Sequence, residues 1–228
     1  MPAGNNGEMT HPLAALWPLF DLRVATPRLE LRYVDDTLAH ELAGLAARGV
    51  HDPGFMPFLV PWTDVDPPQQ QRNTLQWYWR CRAEMSPTTY HLPLAVIADG
   101  AAIGTSSLDA TNFAMLRQFE TGSWLGVEYQ GRGFGRELRV ATLQLGFDGL
   151  GATLATTGAF TDNAASLGVT RRLGYTPTGR VRRVRRDDVA ETLQFEMNVE
   201  HWRNHVRRDD ITIHGLAACR DLLSLQTS

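Results

Sequence analysis

The 228-residue chain contains no lysine, and all 22 of its basic residues are arginine. A Walker A phosphate loop needs Gly-Lys-Ser/Thr, and Schiff-base or pyridoxal chemistry needs a lysine amine, so both are excluded. Cysteine is scarce as well: Cys81 and Cys219 form neither a metal-ligand spacing nor a disulfide framework. This cysteine usage fits a reducing compartment, and we expect a cytoplasmic protein.

Long apolar runs and a strong excess of one charge are also missing. No run approaches the ~18–20 apolar residues that span a bilayer, and residues 1–8 lack the basic region of a signal peptide. The net charge of −3 argues against general binding to DNA or an anionic membrane. Hydrophobic content of 43% and charged content of 21% are ordinary for a soluble globular protein.

Apolar periodicity and turn residues predict a succession of strands and helices. Strands are predicted over about 22–34, 91–108 (a hairpin turning at Asp99-Gly100), 116–126, 153–160 and 175–199 (a second hairpin). Helices are predicted over about 37–48, 68–85, 132–147 and 164–173, and the tail from residue 200 is expected to be mostly helical. The β-α-β unit over 120–160 implies two parallel neighbours within a mostly antiparallel sheet. No linker or repeat divides the chain, so one α+β domain is expected.

A glycine-rich loop stands out between the fourth predicted strand and the helix that follows it. Residues 127–135 read Val-Glu-Tyr-Gln-Gly-Arg-Gly-Phe-Gly. Glycine at every second position allows close backbone approach, and the helix start offers unpaired N–H groups and a positive dipole end. Arg132 and Arg136 add forked donors for phosphate oxygens. The loop is therefore a candidate anion cradle; a glycine-rich turn without a ligand is the alternative.

The segment 51–68 is rich in proline and aromatic residues and lacks a helix or strand pattern. A loop this long and this apolar has to pack on something, so it forms either a pocket wall or a protein interface. Phe55, Phe58 and Trp62 are the candidate pocket residues. The alternative is a lid over the core without substrate contact.

Four motifs in this order resemble the GNAT acyltransferase superfamily, most closely its RimJ/RimL-like N-acetyltransferases. They are Thr-Pro-Arg-Leu-Glu-Leu-Arg at 26–32, Gln130-x-x-Gly133-x-Gly135, Asn163-x-x-Ser166 and Arg-Leu-Gly-Tyr at 172–175. The resemblance runs from about Arg28 to Trp202. It implies a GNAT-like single domain, with about seven strands in a mixed, mostly antiparallel sheet, a central splayed parallel pair and flanking helices. We expect an N-terminal extension over 1–21 that is disordered at 1–7, the domain over 22–205, and a helical tail over 206–228 packed on it.

The resemblance also implies an acyl-CoA cosubstrate. In that family the glycine loop holds the CoA pyrophosphate, and the splayed strands pair with pantetheine. By resemblance, the backbones of Leu125 and Val127 would bind pantetheine, and the Val127 N–H would contact the thioester oxygen as an oxyanion donor. The expected cofactor-binding set is completed by Gln130, Gly131, Arg132, Gly133, Phe134, Gly135, Arg136 and Asn163.

Acyl transfer to an amine needs a base for the ammonium proton and an acid for the departing thiolate. By resemblance, Ser166 directs its hydroxyl at the CoA sulfur and is the expected acid, and Asn163 fixes the cofactor. Plain helix capping by Asn163 and an ordinary first-turn serine are the structural alternatives. Glu120 is the expected base and Glu191 the other candidate. Each is alternatively a solvated or salt-bridged glutamate.

Two further clusters carry weaker signals. His201 and His205 lie four apart on a predicted helix, but no third ligand is evident, so no metal site is expected. The arginines of the last hairpin are Arg180, Arg182, Arg183, Arg185 and Arg186. They form a solvated face balanced by Asp187, Asp188 and Glu191, or they attract an acidic substrate, RNA or a carboxylated acyl group.

These observations predict an N-acyltransferase that moves an acyl group directly from CoA to a primary amine. Acetyl is the default donor group and succinyl the alternative. The acceptor is expected to be a protein N-terminus or a small polar amine, and the protein is expected to be a homodimer. A catalytically inactive module that senses acyl-CoA or binds a partner is the competing hypothesis.

Overall fold

The structure, a computed structural model that describes residues 10–223 and 225, is organised around one nine-stranded sheet. In chain order its strands are β1 (Arg23–Ala25), β2 (Glu30–Tyr33), β3 (Thr89–Ala98), β4 (Ala101–Thr111), β5 (Gln118–Leu125), β6 (Leu154–Phe160), β7 (Thr176–Arg185), β8 (Asp188–Asn198) and β9 (Thr212–His214). They lie in the order β7-β8-β6-β5-β4-β3-β2-β1-β9, and all neighbours are antiparallel except β5 and β6. The predicted single α+β domain with a central parallel pair is confirmed. Residues 1–7, expected to be disordered, lie outside the described residues.

Helices cover both faces of this sheet. They are α1 (Asp36–Arg48), α2 (Pro67–Ala83), α3 (Phe113–Leu116), α4 (Phe134–Gln144), α5 (Ala164–Arg172), α6 (Val199–His205) and α7 (Leu216–Cys219). A π-helical turn, Leu145–Gly149, continues α4. Among the described helices, none has the length and apolar character to cross a bilayer.

Local signals account for the boundaries of most of these elements. The Asp35 carboxylate caps α1 by accepting a hydrogen bond from the Leu38 N–H at 2.7 Å. Asp99 and Gly100 both adopt positive φ, 49° and 79°, which is the backbone that a tight two-residue hairpin turn requires. Gly174 ends α5 with φ of 77°.

The sheet has two more strands than the seven expected. The predicted strand over 22–34 is divided into β1 and β2, because the Thr26 hydroxyl accepts the Leu29 N–H at 2.9 Å and turns the chain. The expectation of a mostly helical tail was wrong. Residues 212–214 form β9, which pairs with β1, and of the described residues beyond α6 four form a helix. A three-residue strand is too short to give a recognisable alternation in sequence.

The core is divided by the sheet into two layers. On one face, α4 and its π-helical turn pack on β5, where the rings of Phe119 and Phe147 lie 5.4 Å apart and those of Phe147 and Trp202 5.0 Å apart. On the other face, α1 and α2 cover a smaller cluster that contains Leu42 and Tyr78. Burying each large apolar side chain stabilises the fold by about 1.5–3 kcal/mol.

The two parallel strands, β5 and β6, are paired over only a short stretch. Their register covers Gln118–Glu120 against Leu154–Thr156. Beyond that point β5 stays paired with β4 up to Leu125, and β6 stays paired with β8 up to Phe160. A gap therefore opens in the middle of the sheet between residues 123–125 and 158–160.

A buried carboxylate ties the start of the domain to the first turn of α4. Glu137 is 6% exposed and accepts hydrogen bonds from the Thr26 hydroxyl at 2.6 Å and from Arg28 Nε at 2.7 Å. The Arg28 guanidinium also lies 5.0 Å from the centre of the Phe134 ring and donates to the Arg132 carbonyl at 3.3 Å. These contacts join the glycine loop and the start of α4 to the turn between β1 and β2.

We expect Gly146→Ala to destabilise the protein by about 1–3 kcal/mol, the usual cost of overpacking. A Cβ at Gly146 would lie far inside van der Waals distance of the buried Phe119 ring. Gly44→Ala is the matched control, because a Cβ there meets nothing within 4 Å. It should stabilise α1 by about 0.5–1 kcal/mol. Urea unfolding measures both; destabilisation by both variants to the same extent would contradict this packing.

We expect Glu137→Gln to lower the free energy of unfolding at pH 7 by about 1.5–3 kcal/mol, towards the lower end because Arg28 is half exposed. Burial alone would raise the pKa of Glu137, but hydrogen bonds from Thr26 and Arg28 outweigh it and hold the pKa below its usual range. The stabilisation is therefore complete above the unfolded pKa of about 4.3 and is lost as the pH falls through the lower folded value.

Urea unfolding at pH 7 and at about pH 3 measures this dependence. The difference between the wild type and Glu137→Gln should shrink at the lower pH. Glu128→Gln, which removes an exposed pair with Arg48 at 3.5 Å, is the control and should change stability little. If Glu137→Gln lowered the free energy of unfolding equally at both pH values, the charge of Glu137 would not be the source of the stabilisation.

Candidate functional site

The glycine loop presents a row of free backbone donors at the start of α4. Gly131 and Gly133 adopt φ of 74° and 82°, which favour glycine. The Gly133 carbonyl accepts the N–H groups of Arg136 and Glu137 as the helix begins. The five N–H groups of residues 131–135 donate to no acceptor in the part of the chain that the structure describes. With the helix dipole behind them, these donors suit a phosphate or pyrophosphate.

Charge around the loop favours an anion as well. Arg132 and Arg136 are exposed, and neither forms an ion pair with a carboxylate among the described residues. The Arg132 guanidinium lies 5.7 Å from the centre of the Tyr129 ring. Both arginines are therefore available to the same ligand as the free amides.

Backbone alternation shows which groups of β5 face the gap. Gly126 N–H donates to the Ile103 carbonyl at 3.0 Å, so the preceding odd-numbered residues of β5 direct their amides away from β4. Ser123 and Leu125 consequently present their N–H groups to the gap, where they have no partner on β6. The Leu125 backbone was expected from the sequence to face the gap. Ser123 was missed, although the two-residue period of a strand places Ser123 and Leu125 on the same side.

The donor expected at Val127 is not free. Its N–H donates to the Gly49 carbonyl at 3.1 Å, because the chain leaves the strand after Leu125 and enters a 3₁₀ turn over Val127–Tyr129. The Gln130 side chain is also engaged within the protein, where Nε2 donates to the carbonyls of Val50 at 2.8 Å and Leu125 at 2.9 Å. Both residues thus hold the loop in place.

A cavity of about 650 Å³ lies on the face of the sheet opposite α4. It is enclosed by α2, the segment 58–65 and strands β3 to β5. Phe58 and Trp62 line it as expected, but Phe55 does not. The rings of Trp62 and Trp124 lie 5.8 Å apart and continue the aromatic wall onto β5. Lining residues that sequence reasoning missed include Trp77, Tyr78, Ser107, Ser123 and Trp124.

The wall of this cavity is anchored to the last hairpin. Arg186 donates to both carboxylate oxygens of Asp64, at 2.5 and 2.8 Å, and to the Pro53 carbonyl at 3.1 Å. Arg185 pairs with Asp162 at 2.8 Å and Arg180 with Glu191 at 3.3 Å. This ion pair confirms that Glu191 balances one arginine of the cluster, Arg180.

Glu120 is exposed and is the last residue of β5 that pairs with β6, so it lies at the base of the gap. It is on the same face of β5 as Gly122 and Trp124, which line the cavity, and directly opposite Asp109 on β4. Although Glu120 is exposed as a residue, its neighbours partly desolvate the carboxyl group and raise its pKa. Repulsion by Asp109 raises the pKa further, and the charge of Arg183 opposes this rise. Glu191 is instead held in its ion pair with Arg180.

A hydrogen-bonded trio continues from Glu120 towards the cavity. Asp109 accepts the Ser107 hydroxyl at 2.7 Å and contacts His91 Nδ1 at 2.7 Å, and this hydrogen bond raises the pKa of His91. Ser107 and Asp109 lie two apart on β4, and pairing of β4 with β3 brings His91 to Asp109, so no local motif in the sequence could have identified the contact with His91.

Asn163 and Ser166 lie at the far end of the gap. Asn163 Oδ1 accepts the Ser166 N–H at 3.1 Å, which makes Asn163 the N-cap of α5. Ser166 is half-buried, and its hydroxyl makes no hydrogen bond to any described residue. A Cβ on Gly135 would lie 3.8 Å from the Val169 side chain, so the first turn of α4 lies close to the second turn of α5.

Among the described residues, no group of three or more His, Cys, Asp and Glu side chains is arranged to hold a metal ion. His201 and His205 stack with ring centres 4.6 Å apart, and His201 Nε2 lies 3.3 Å from the Leu173 carbonyl. Their arrangement is accounted for by helix geometry and packing.

Three acetyltransferases are among the solved structures that share this fold. Mycobacterium smegmatis RimJ in complex with CoA-disulfide matches with a TM-score of 0.67 at 16% identity, over 90% of this chain and 95% of that one. RimL, a ribosomal L7/L12 alpha-N-protein acetyltransferase in complex with coenzyme A, matches with 0.63 at 16%, over 77% and 97%. The microcin C7 self-immunity acetyltransferase MccE, in complex with acetyl-CoA and AMP, matches with 0.57 at 16%, over 75% and 93%.

The sequence gives the family directly. Residues 28–176, well over half of the chain, match the acetyltransferase (GNAT) domain. This segment contains the free amides of the glycine loop, the open gap between β5 and β6, Glu120 and the capped Asn163–Ser166 turn. With its fold also shared by RimJ and RimL, the protein belongs to the GNAT acetyltransferase family.

Proposed function

We propose that this protein is an acyl-CoA-dependent N-acyltransferase that acylates a primary amine in a ternary complex. The observation that carries the proposal is two groups of unpaired backbone donors. One group is the amides of Ser123 and Leu125 in the gap, and the other is the five amides of residues 131–135. Pantetheine suits the first group and a pyrophosphate the second. The CoA complexes of RimJ and RimL support this reading.

The reaction divides between the two sides of the gap. Glu120 takes one proton from the ammonium, and the freed amine attacks the thioester carbon to form the N–C bond. The nitrogen then releases its second proton to solvent as the C–S bond breaks. Ser166 donates its hydroxyl proton to the departing sulfur and regains one from solvent. The N–H groups of Ser123 and Leu125 are the donors available to the oxyanion, a role that had been expected of Val127.

The cavity is proposed to hold the acceptor. Its aromatic wall suits an apolar body, and the carboxylates of Asp109 and Glu120 attract a cationic amine. RimL is described as acting on a protein α-amine, which is compatible with an N-terminus entering this cavity, and a small amine fits as well. Homodimer formation and a cytoplasmic location stay predictions.

Heat stabilisation by CoA, acetyl-CoA and succinyl-CoA tests the cosubstrate. A ligand at about 100 times its dissociation constant should stabilise the protein by roughly 2.7 kcal/mol. Release of CoA thiol in the presence of an amine panel then tests turnover. Stabilisation without thiol release for any amine would favour the non-catalytic sensing module, and stabilisation by none would refute the proposal.

We expect Glu120→Gln to lower kcat by about 10²–10⁴-fold, the usual contribution of a general base, while heat stabilisation by CoA stays unchanged. The raised pKa of Glu120 means that wild-type kcat/KM falls as the pH drops through that pKa, where the base becomes protonated. This acidic limb should disappear in the variant. Glu191→Gln, which removes an ion pair with Arg180, should keep most turnover. The reverse pattern would make Glu191 the base.

Ser166→Ala should also lower kcat with CoA binding retained, because the Asn163 cap bonds the Ser166 backbone N–H and not its hydroxyl. Removing the acid slows a reaction most when the leaving thiolate is a poor leaving group. The decrease in kcat should therefore be smaller with a thioester of an acidic aryl thiol than with an alkyl thioester. Equal activity of Ser166→Ala and wild type with acyl-CoA would exclude this residue as the acid.

A further inference from the structure

A buried arginine that the proposed chemistry does not use lies beneath the gap. Arg139, on the second turn of α4, is 5% exposed. Its Nη1 donates to the Thr157 hydroxyl on β6 at 3.2 Å, and its Nη2 donates to the Ser123 hydroxyl on β5 at 3.5 Å. Nε is buried and has no hydrogen-bond partner among the described residues. Two of the five guanidinium donors are thus engaged, both by neutral groups.

This cation also lacks a counter-charge. No carboxylate in the described part of the chain forms an ion pair with Arg139; the nearest buried acid on α4, Glu137, is committed to Arg28. Burying an unpaired charge costs several kcal/mol, so buried charges are normally paired or bound to a ligand. The other arginines at the site, Arg132 and Arg136, are exposed and carry no such cost. An anion from outside the chain would offset the cost at Arg139.

The position of Arg139 specifies which part of a ligand it meets. Its guanidinium bridges Thr157, which follows the last paired residue of β6, and Ser123, which lies three residues beyond the last paired residue of β5. The Ser123 N–H is one of the two free donors in the gap. A thioester bound along the gap with its phosphates at residues 131–135 would bring its acyl end to Ser123 and so towards Arg139.

We propose that Arg139 binds a carboxylate on the acyl group, so that the donor is the CoA monothioester of a short dicarboxylic acid. This inference rests on the proposed acyl-CoA function. A guanidinium offers two parallel donors to a carboxylate, and such charge-assisted pairs are strong when water is excluded. A neutral acetyl group leaves the buried charge unpaired. The transfer itself is unchanged: the N–C bond forms, the C–S bond breaks, and the product amide keeps a free carboxylate.

Calorimetric titration of the full chain with succinyl-CoA, butyryl-CoA, acetyl-CoA and free CoA tests this assignment. Butyryl-CoA has nearly the length of succinyl-CoA without its charge. The wild type should bind succinyl-CoA roughly 10- to 100-fold more tightly than butyryl-CoA or acetyl-CoA, as expected for one charge-assisted pair. Turnover of a common amine should show the same preference in kcat/KM.

Two arginine variants separate recognition of the acyl group from CoA binding. Arg139→Gln should erase the preference for succinyl-CoA and leave the affinity for free CoA within about threefold of wild type, whereas Arg139→Lys should retain part of the preference. Arg136→Gln is the matched control on the same helix, and it should weaken all four ligands by a similar factor. Retained binding of free CoA also shows that Arg139→Gln is folded.

The outcomes distinguish this inference from the proposed function. Equal affinity of wild type for succinyl-CoA and butyryl-CoA, or equal weakening of all four ligands by Arg139→Gln, overturns the inference and leaves the acyltransferase proposal standing. Absence of binding by every CoA ligand overturns the proposed function itself. If Arg139→Gln does not fold, the wild-type comparison of succinyl-CoA with butyryl-CoA still decides the matter.

Discussion

The parting of β5 and β6 is the feature on which the site depends. At its base the strands are joined by three registered pairs, by the Thr157 hydroxyl donating to the Thr121 carbonyl at 3.1 Å and by the Thr156 hydroxyl donating to the Phe119 carbonyl at 3.3 Å. Beyond that point the Ser123 and Leu125 amides lack a ladder partner, and buried backbone groups normally have one. An extended amide-containing ligand would complete the interrupted sheet.

The two faces of β5 separate the charges of the site. Residues on the α4 face bring Ser123 to Arg139, and the same helix presents Arg136 at its first turn, so that face attracts anions. On the other face, which also holds the aromatic cavity, Glu120 lies opposite Asp109, and these two carboxylates attract cations. A single strand with a two-residue period would thus bring the proposed anionic donor and the proposed cationic acceptor to one point.

Sequence reasoning was most successful where a function depends on neighbours in the chain. The glycine loop, the Asn163 cap and the position of Glu120 were predicted from short motifs, because turn, cap and strand signals act within a few residues. It was wrong about the tail, since β9 is three residues long. Phe55 does not line the cavity, and its expected place in a substrate pocket stays a prediction. A 3₁₀ turn directs the Val127 N–H to Gly49, which only the folded chain reveals.

By itself, the sequence determined most of the element order, the parallel pair, the glycine loop at the start of α4 and the resemblance to GNAT enzymes. The tertiary structure alone decided the environment of the polar side chains. Glu137 meets Arg28 across 109 residues, and His91 meets Asp109 across 18. Whether Arg139 faces solvent or the gap is likewise set by the packing of α4 on the splayed strands. These contacts depend on strand register and helix placement, which come from burying the whole core and are not encoded by any local pattern.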